Sequence, residues 1–257
     1  MPLEHIKLDV RDHVATVTLN RPPVNALGRA IREELLATFD ELHDRDDVRV
    51  VILTANGRTF CAGADIKERA KLTAKPGEHR ELNRLVREVF YAVMQCSKPV
   101  IAAVNGSALG AGFAIALCCD LILASDEAMF GMPEVDVGLA GGVKFLQRHF
   151  APSQARMLLI TGRRVSAAEL YRLGVLQSVV PTSELLPEAT KLALEIAAKS
   201  PLAVRMLKTS FNAVESLSLE DGYRIEQDMT VELSKTEDAK EAKQAFVEKR
   251  KPVFKGR

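Results

Sequence analysis

Three short stretches of this chain carry the residue types that acid/base and anion chemistry need. Ala62-Gly63-Ala64-Asp65 and Gly110-Ala111-Gly112 are turns of small residues, and Glu134 follows Phe130-Gly131-Met132-Pro133. Glycine lets another molecule approach the backbone closely. Where such a turn opens a helix, the first N–H groups have no intrahelical partner and can hold a developing negative charge. A carboxylate beside that charge can take and return a proton. Each stretch alone also has an ordinary reading. Asp65 could simply cap a helix. Gly110-Ala111-Gly112 matches neither a dinucleotide nor a P-loop fingerprint and would suit close packing. A lone Glu after Pro is usually at the surface. The chemistry lies in the set of three.

The elements around them follow from hydrophobic pattern. Val100-Ile101-Ala102-Ala103-Val104 is short, apolar and β-branched, which predicts a buried strand that Asn105-Gly106 breaks. Phe113 to Cys119 predicts a helix with no charge on any face, hence a buried one, ending at Asp120. A second apolar run, Leu121 to Ala124, leads toward Glu134. Upstream, Ile6 to Val10 and Val14 to Leu19 alternate apolar with polar and predict an edge hairpin; Asn20 to Pro23 breaks the pattern. Ile31, Leu35, Phe39 and Leu42 recur at helical spacing. Arg49 to Thr54 predicts a strand, and Thr59 to Lys67 a small-residue turn leading into a polar segment. Lys71 to His79, with Pro76-Gly77, reads as a mobile surface loop; Leu82, Leu85, Val89, Phe90 and Val93 predict the next helix.

This alternation favours an α/β fold with a mostly parallel sheet. Beyond Glu134 helices dominate: 143–150, 154–160, 167–173, 185–198, 203–214 and 219–233, punctuated by Pro181, Pro187 and Pro201, with only 177–180 strand-like. The sheet-rich part is expected to give way to helices between Pro181 and Pro201.

Composition narrows the function. Apolar residues make up 47% and charged ones 27%, ordinary for a soluble globular chain, and the net charge of +1 argues against nucleic acid as partner. No run is long and apolar enough for a transmembrane helix, and Met1 to Asp9 lacks the apolar stretch of a signal peptide. Cys61, Cys96, Cys118 and Cys119 form no CxxC pair, and the five histidines show no ligand spacing, so neither disulfide nor metal is expected. A cytoplasmic location is the resulting expectation.

The three stretches together resemble the crotonase (enoyl-CoA hydratase/isomerase) superfamily. The resemblance runs nearly end to end: Asn20-Arg21-Pro22 with Asn25-Ala26-Leu27, Phe60 to Lys67, Lys98-Pro99, Asn105-Gly106, Cys119-Asp120, Phe130 to Glu134, Thr161-Gly162, Ala167 to Leu170, Gly174 to Leu176 and Ala245 to Lys251. It implies a ββα spiral core over residues 1–195 that holds an acyl-CoA site, and a C-terminal helical oligomerisation region over 196–257. It also implies that the backbone N–H groups of Ala64 and Ala111 bind a thioester oxygen and stabilise the enolate, with Glu134 as the catalytic acid/base. Ala62, Ala64, Asp65, Ile66 and Lys67 would adjoin CoA, as would Phe246 and Lys249 across a subunit contact. CoA would be part of the substrate, no cofactor would be needed, and the assembly would be a homotrimer or a dimer of trimers.

The reaction depends on how many acids share the site. Family hydratases resemble one another in having a second carboxylate at the position matching Ala114, and dienoyl-CoA isomerases add acids matching 114 and 142, here Ala114 and Gly142. Hydration needs a group to activate water and a donor to the α-carbon, whereas moving a double bond from the 3- to the 2-position needs one base. A single Glu therefore favours isomerisation, with 2-enoyl-CoA hydration as the alternative; a CoA-thioester decarboxylase, a hydrolase or a non-catalytic acyl-CoA-binding protein comes after these. Asp136 reads as a solvated or capping residue. The acyl pocket is expected to be lined from Lys71 to Leu85 and from the C-terminal half.

Overall fold

The computed structural model describes residues 3–72 and 75–257. Residues 73 and 74, inside the loop expected over 71–79, and residues 1 and 2 of the N-terminal segment lie outside the described residues.

The chain begins with the expected hairpin. β1 (Ile6–Arg11) and β2 (Val14–Leu19) pair antiparallel from Ile6 opposite Leu19 to Arg11 opposite Val14. Asp12 and His13 between them both have positive φ, the conformation whose twist suits a two-residue hairpin turn. α1 (Arg29–Asp44) buries Ile31, Leu35, Phe39 and Leu42, as the spacing predicts. Its Glu34 is also buried and accepts the N–H groups of His5 and Ile6, tying the helix to β1.

Three consecutive ββα units follow. β3 (Val50–Ala55) leads to β4 (Thr59–Cys61), α2 (Ile66–Arg69) and α3 (Glu78–Gln95). β5 (Val100–Val104) leads to β6 (Ser107–Leu109) and α4 (Ala111–Leu117). β7 (Leu121–Ser125) leads to β8 (Met129–Gly131), a 3₁₀ turn (Pro133–Val137) and α5 (Val143–His149). After α6 (Pro152–Thr161) come β9 (Val165–Ser166), α7 (Ala167–Arg172), β10 (Ser178–Val180) and α8 (Thr182–Ala197). The first strand of each unit joins a six-stranded sheet of order β1-β2-β3-β5-β7-β10, parallel except for β1. The second strand joins a four-stranded sheet of order β4-β6-β8-β9.

Alternation along the strands divides the core. Val50 and Ile52 face Leu185, Ala189 and Ala193 of α8, while Val51 and Leu53 face the layer of α1, α3 and α4. Both faces of the large sheet are covered, which is why its strands read as nearly continuous apolar runs.

Four expectations need correction. α4 ends at Leu117 rather than Asp120, whose carboxylate instead accepts the N–H of Val100. Thr59 to Lys67 is not simply a turn but a strand followed by α2. Pro187 does not interrupt its segment; it lies within α8. The strand signal past Glu134 also missed β9.

Past α8, Ser200, Ser218 and Thr236 cap α9 (Pro201–Val214), α10 (Leu219–Ser234) and α11 (Glu237–Glu248), each hydroxyl accepting an N–H three residues on. Asp238 on α11 accepts the N–H groups of Lys255 and Gly256, and Arg49 beside β3 donates to the carbonyls of Ala197 and Phe254. The tail is thereby folded back toward the sheet.

Candidate active site

The small sheet explains how distant stretches meet. β4, β6 and β8 are adjacent and parallel, with Cys61 beside Ala108, and Leu109 beside Gly131. The residues that follow each strand therefore emerge side by side: Ala62-Gly63-Ala64, Gly110-Ala111 and Pro133-Glu134. Ligand sites form at such carboxyl ends of parallel strands.

Glycines let the three exits interlock. A Cβ on Gly63, whose φ is +97°, would lie 2.8 Å from the Leu109 carbonyl and 3.5 Å from the Ala111 nitrogen. One on Gly112 would lie 2.3 Å from the Cys61 carbonyl. One on Gly110, φ +53°, would lie 2.6 Å from Glu134 Oε1. The two turns and the carboxylate thus touch through space that only glycine leaves open.

The backbone amides here can be accounted for one by one. Ala62 N–H donates to Val24 O (3.0 Å), Gly63 N–H to Cys61 Sγ (3.4 Å) and Asp65 N–H to Leu27 O (3.2 Å). Gly110 N–H donates to Gly131 O (2.8 Å). Among the described residues, Ala64 N–H and Ala111 N–H have no acceptor within hydrogen-bonding distance. Both residues line one cavity of about 370 Å³ together with Glu134, Ala114 and Gly142.

Glu134 is half-buried there, and among the described residues its inner oxygen, Oε2, has no partner. Burial pushes its carboxyl above the usual carboxylate range, offset in part by its own backbone N–H. Cys61, next to the amides, is not a competing nucleophile: burial pushes its thiol up to about 12, so it stays protonated near neutral pH. Neither 114 nor 142 offers an acid. Ala114 is buried, and a Cβ on Gly142 would strike the Met132 side chain at 2.7 Å.

Other expected contacts divide. Ala62 and Ile66 line the cavity. Asp65 does not; its side chain caps α2 through the Glu68 N–H and pairs with Arg21 at 2.7 Å, which holds its carboxyl below the usual range. Arg21 in turn donates to Ala26 O, and buried Asn25 clamps Arg21 N–H, Asn56 O and Thr59 O, so the Asn20-to-Leu27 motif braces this turn. Lys67 is exposed and outside the lining. Phe246, 86% exposed on α11, and Lys249 at the end of that helix also lie outside it. Asp136, read as solvated or capping, is exposed yet lines the cavity.

Sequence reasoning missed much of the remaining wall. Val86 and Phe90 of α3 and Phe145 of α5 supply its apolar side, the two rings meeting edge to face at 5.1 Å. Arg32 of α1, Arg69 of α2 and Asn83 supply its polar side. Arg32 adjoins Ile31 in the apolar stripe of α1, and that position was the available signal.

Two free amides beside the Glu134 carboxylate can hold charge on a carbonyl oxygen while a proton moves at the neighbouring carbon. A spiral of ββα units enclosing this cavity is the crotonase fold. The chain belongs to the enoyl-CoA hydratase/isomerase family, whose model matches residues 9–257, and is an enzyme of that family. It is 39% identical to the crotonyl-CoA hydratase of Syntrophomonas wolfei, covering 99% of each chain. It is 38% identical to the short-chain-enoyl-CoA hydratase of Clostridium acetobutylicum, covering 98% of this chain and 97% of that one. The crystal structure of an enoyl-CoA hydratase from Bacillus anthracis superimposes with a TM-score of 0.95 at 36% identity, covering 99% of this chain and 100% of that one.

Proposed function

We propose that the protein moves the double bond of a 3-enoyl-CoA to the 2-position, with Glu134 as the only acid/base. The thioester oxygen accepts from Ala64 and Ala111 N–H. Glu134 removes a proton from the α-carbon, and the electron pair delocalises through the double bond onto that oxygen as a dienolate. The same carboxyl then returns the proton at the γ-carbon, so the reaction balances without water. CoA enters as part of the substrate and not as a resident cofactor.

One observation carries this reading: Glu134 stands against the Gly110-Ala111 turn while Ala114 and Gly142 leave the cavity without the further acids. Burial suits the role, because a carboxyl raised toward neutral pH both accepts and donates readily. Hydration of 2-enoyl-CoA is the second reading. It is favoured by the hydratase names of the relatives and by Asp136, a second carboxylate on the same cavity. Assay of 2-enoyl-, 3-enoyl- and cyclic enoyl-CoA thioesters, following both reactions, separates them. Isomerisation should be the faster; hydration of 2-enoyl-CoA far outpacing it replaces the first reading with the second.

The proposal extends to assembly. Phe246 and Lys249 would reach CoA in a neighbouring subunit of a homotrimer or dimer of trimers formed through the region from residue 196 onward. Exposed Leu207, Phe211, Leu219 and Phe246 support it. Sedimentation of the full chain, and CoA affinity after truncation at Ala245, test it.

A further inference from the structure

Arg32 is buried to 5% exposure, yet among the described residues its guanidinium makes no hydrogen bond or ion pair. It lines the main cavity with Ala64 and Glu134, and also a small recess behind Ala64 that it shares with Glu68, Leu72 and Asn83. Its nearest opposite charges are engaged elsewhere. Both oxygens of Glu68 accept the Arg29 N–H and so cap α1, whose Gly28 has no side chain to do it. Asp65 is held by Arg21 and by the Glu68 N–H. Arg69, half-buried on the same wall, has no ion pair among the described residues and adds a like charge that opposes Arg32. Three guanidinium groups, Arg21, Arg32 and Arg69, therefore surround two carboxylates, Asp65 and Glu68.

A buried charge without a partner is costly to a fold, and a second like charge on the same wall compounds it. A bound anion removes that cost. The guanidinium fork matches a carboxylate through two parallel N–H bonds. Building on the acyl-CoA reading above, we infer that the acyl group this site accepts ends in a carboxylate, held by Arg32 with Arg69 beside it. A phosphate of CoA is the other anion within the same molecule. With the thioester at Ala64 and Ala111, however, the whole pantetheine arm separates those phosphates from the reacting carbonyl, whereas Arg32 lines the same cavity as Ala64. The acyl end is the part that stays beside that carbonyl.

Calorimetric titration of the full chain tests this without relying on turnover. The probes are succinyl-, glutaryl- and adipyl-CoA, each against the uncharged thioester of equal chain length: butyryl-, pentanoyl- and hexanoyl-CoA. At the length that spans the site, the carboxylate-ended thioester should bind at least about tenfold tighter, the scale of one charge-assisted pair. Arg32→Met should bring that ratio close to one, Arg32→Lys should restore part of it, and Arg69→Met should lower it less. Equal affinities for the two series in the unmodified protein overturn the inference. So does an Arg32→Met variant that loses free CoA as severely as the dicarboxylic thioester, since the guanidinium would then hold a phosphate. If Arg32→Met does not fold, the unmodified protein's ratio and Arg69→Met decide. Selective binding without turnover of any enoyl-CoA would sink the proposed reaction and support this inference; turnover with equal affinities would do the reverse.

Discussion

Two clusters of ionisable groups in this molecule are treated in opposite ways. Near the end of α4, Lys208 Nζ donates to Asp120 Oδ2 at 2.7 Å and to the Lys98 carbonyl, the same Asp120 oxygen accepts Val100 N–H, and fully buried Lys98 donates to His43 O. At the cavity, among the described residues, Glu134 Oε2 is buried without a partner, and the Arg32 guanidinium makes no hydrogen bond to protein where it lines the open space. The first set holds elements together and is closed to ligands. The second bears an energetic cost that binding or reaction can relieve. Between these two clusters, what differs is whether the hydrogen-bonding capacity is met.

The strongest way to break this contrast is at Glu134. Glu134→Gln keeps the shape and removes the base, so turnover should fall on the order of a hundredfold or more, with CoA affinity nearly intact. Turnover at the unmodified rate would leave Glu134 as merely another half-buried residue. Asp120→Ala attacks the other set. It strands Lys208 and should cost about 2 kcal/mol, below the range for a fully buried pair because Asp120 is 30% exposed. Thermal unfolding should drop by several degrees while turnover per folded molecule stays the same; the converse result would merge the two sets.

Ala114→Glu sharpens the comparison by adding a partner where none exists. Two nearby acids repel, one takes a raised pKa, and one can hold a proton while the other activates water. The ratio of hydration to isomerisation should rise on the order of tenfold on a matched 2-enoyl/3-enoyl pair. An unchanged ratio would remove position 114 from the choice of reaction.

The smallest expected effect is on stability. Burial raises the native Glu134 carboxyl above its unfolded value near 4.5. Ionisation therefore favours the unfolded chain, and stability is lost as pH rises through the native value. Glu134→Gln should raise Tm by about 1–2 °C at pH 8 and leave it unchanged below pH 4, where both side chains are neutral. A lower Tm at pH 8 would mean that the carboxylate is satisfied after all.

Much of this arrangement was legible. The stripe Ile31, Leu35, Phe39, Leu42 is long enough for its periodicity to speak, the run Val100 to Val104 is uninterrupted and apolar, and the three small-residue and acidic stretches do converge. β4, β6 and β8 were not legible, because three residues carry no usable alternation and Gly131 is a poor strand former. The end of α4 was misplaced because Cys118 keeps a helical conformation beyond the last turn, and because Asp120 is occupied by an amide twenty residues earlier in the chain. Arg32 escaped for a similar reason: although it adjoins Ile31 of the stripe, Glu33 on its other side makes the pair read as a solvated face. Its burial depends on α2 and α3, which reach it only in three dimensions.

The interlocked glycine turns divide the site by what a codon can change. One base substitution can replace Glu134, and with it the carboxylate proposed above to move a proton. None can delete the amides of Ala64 or Ala111 short of introducing proline, since every other residue keeps its N–H. The surrounding glycines are equally unforgiving, because even a methyl group on Gly63 or Gly110 collides with its neighbours. Single substitutions can therefore alter the carboxylate and the cavity wall, while the paired amides persist. A change of reaction by substitution at the carboxylate or the wall would leave the two amides where they are.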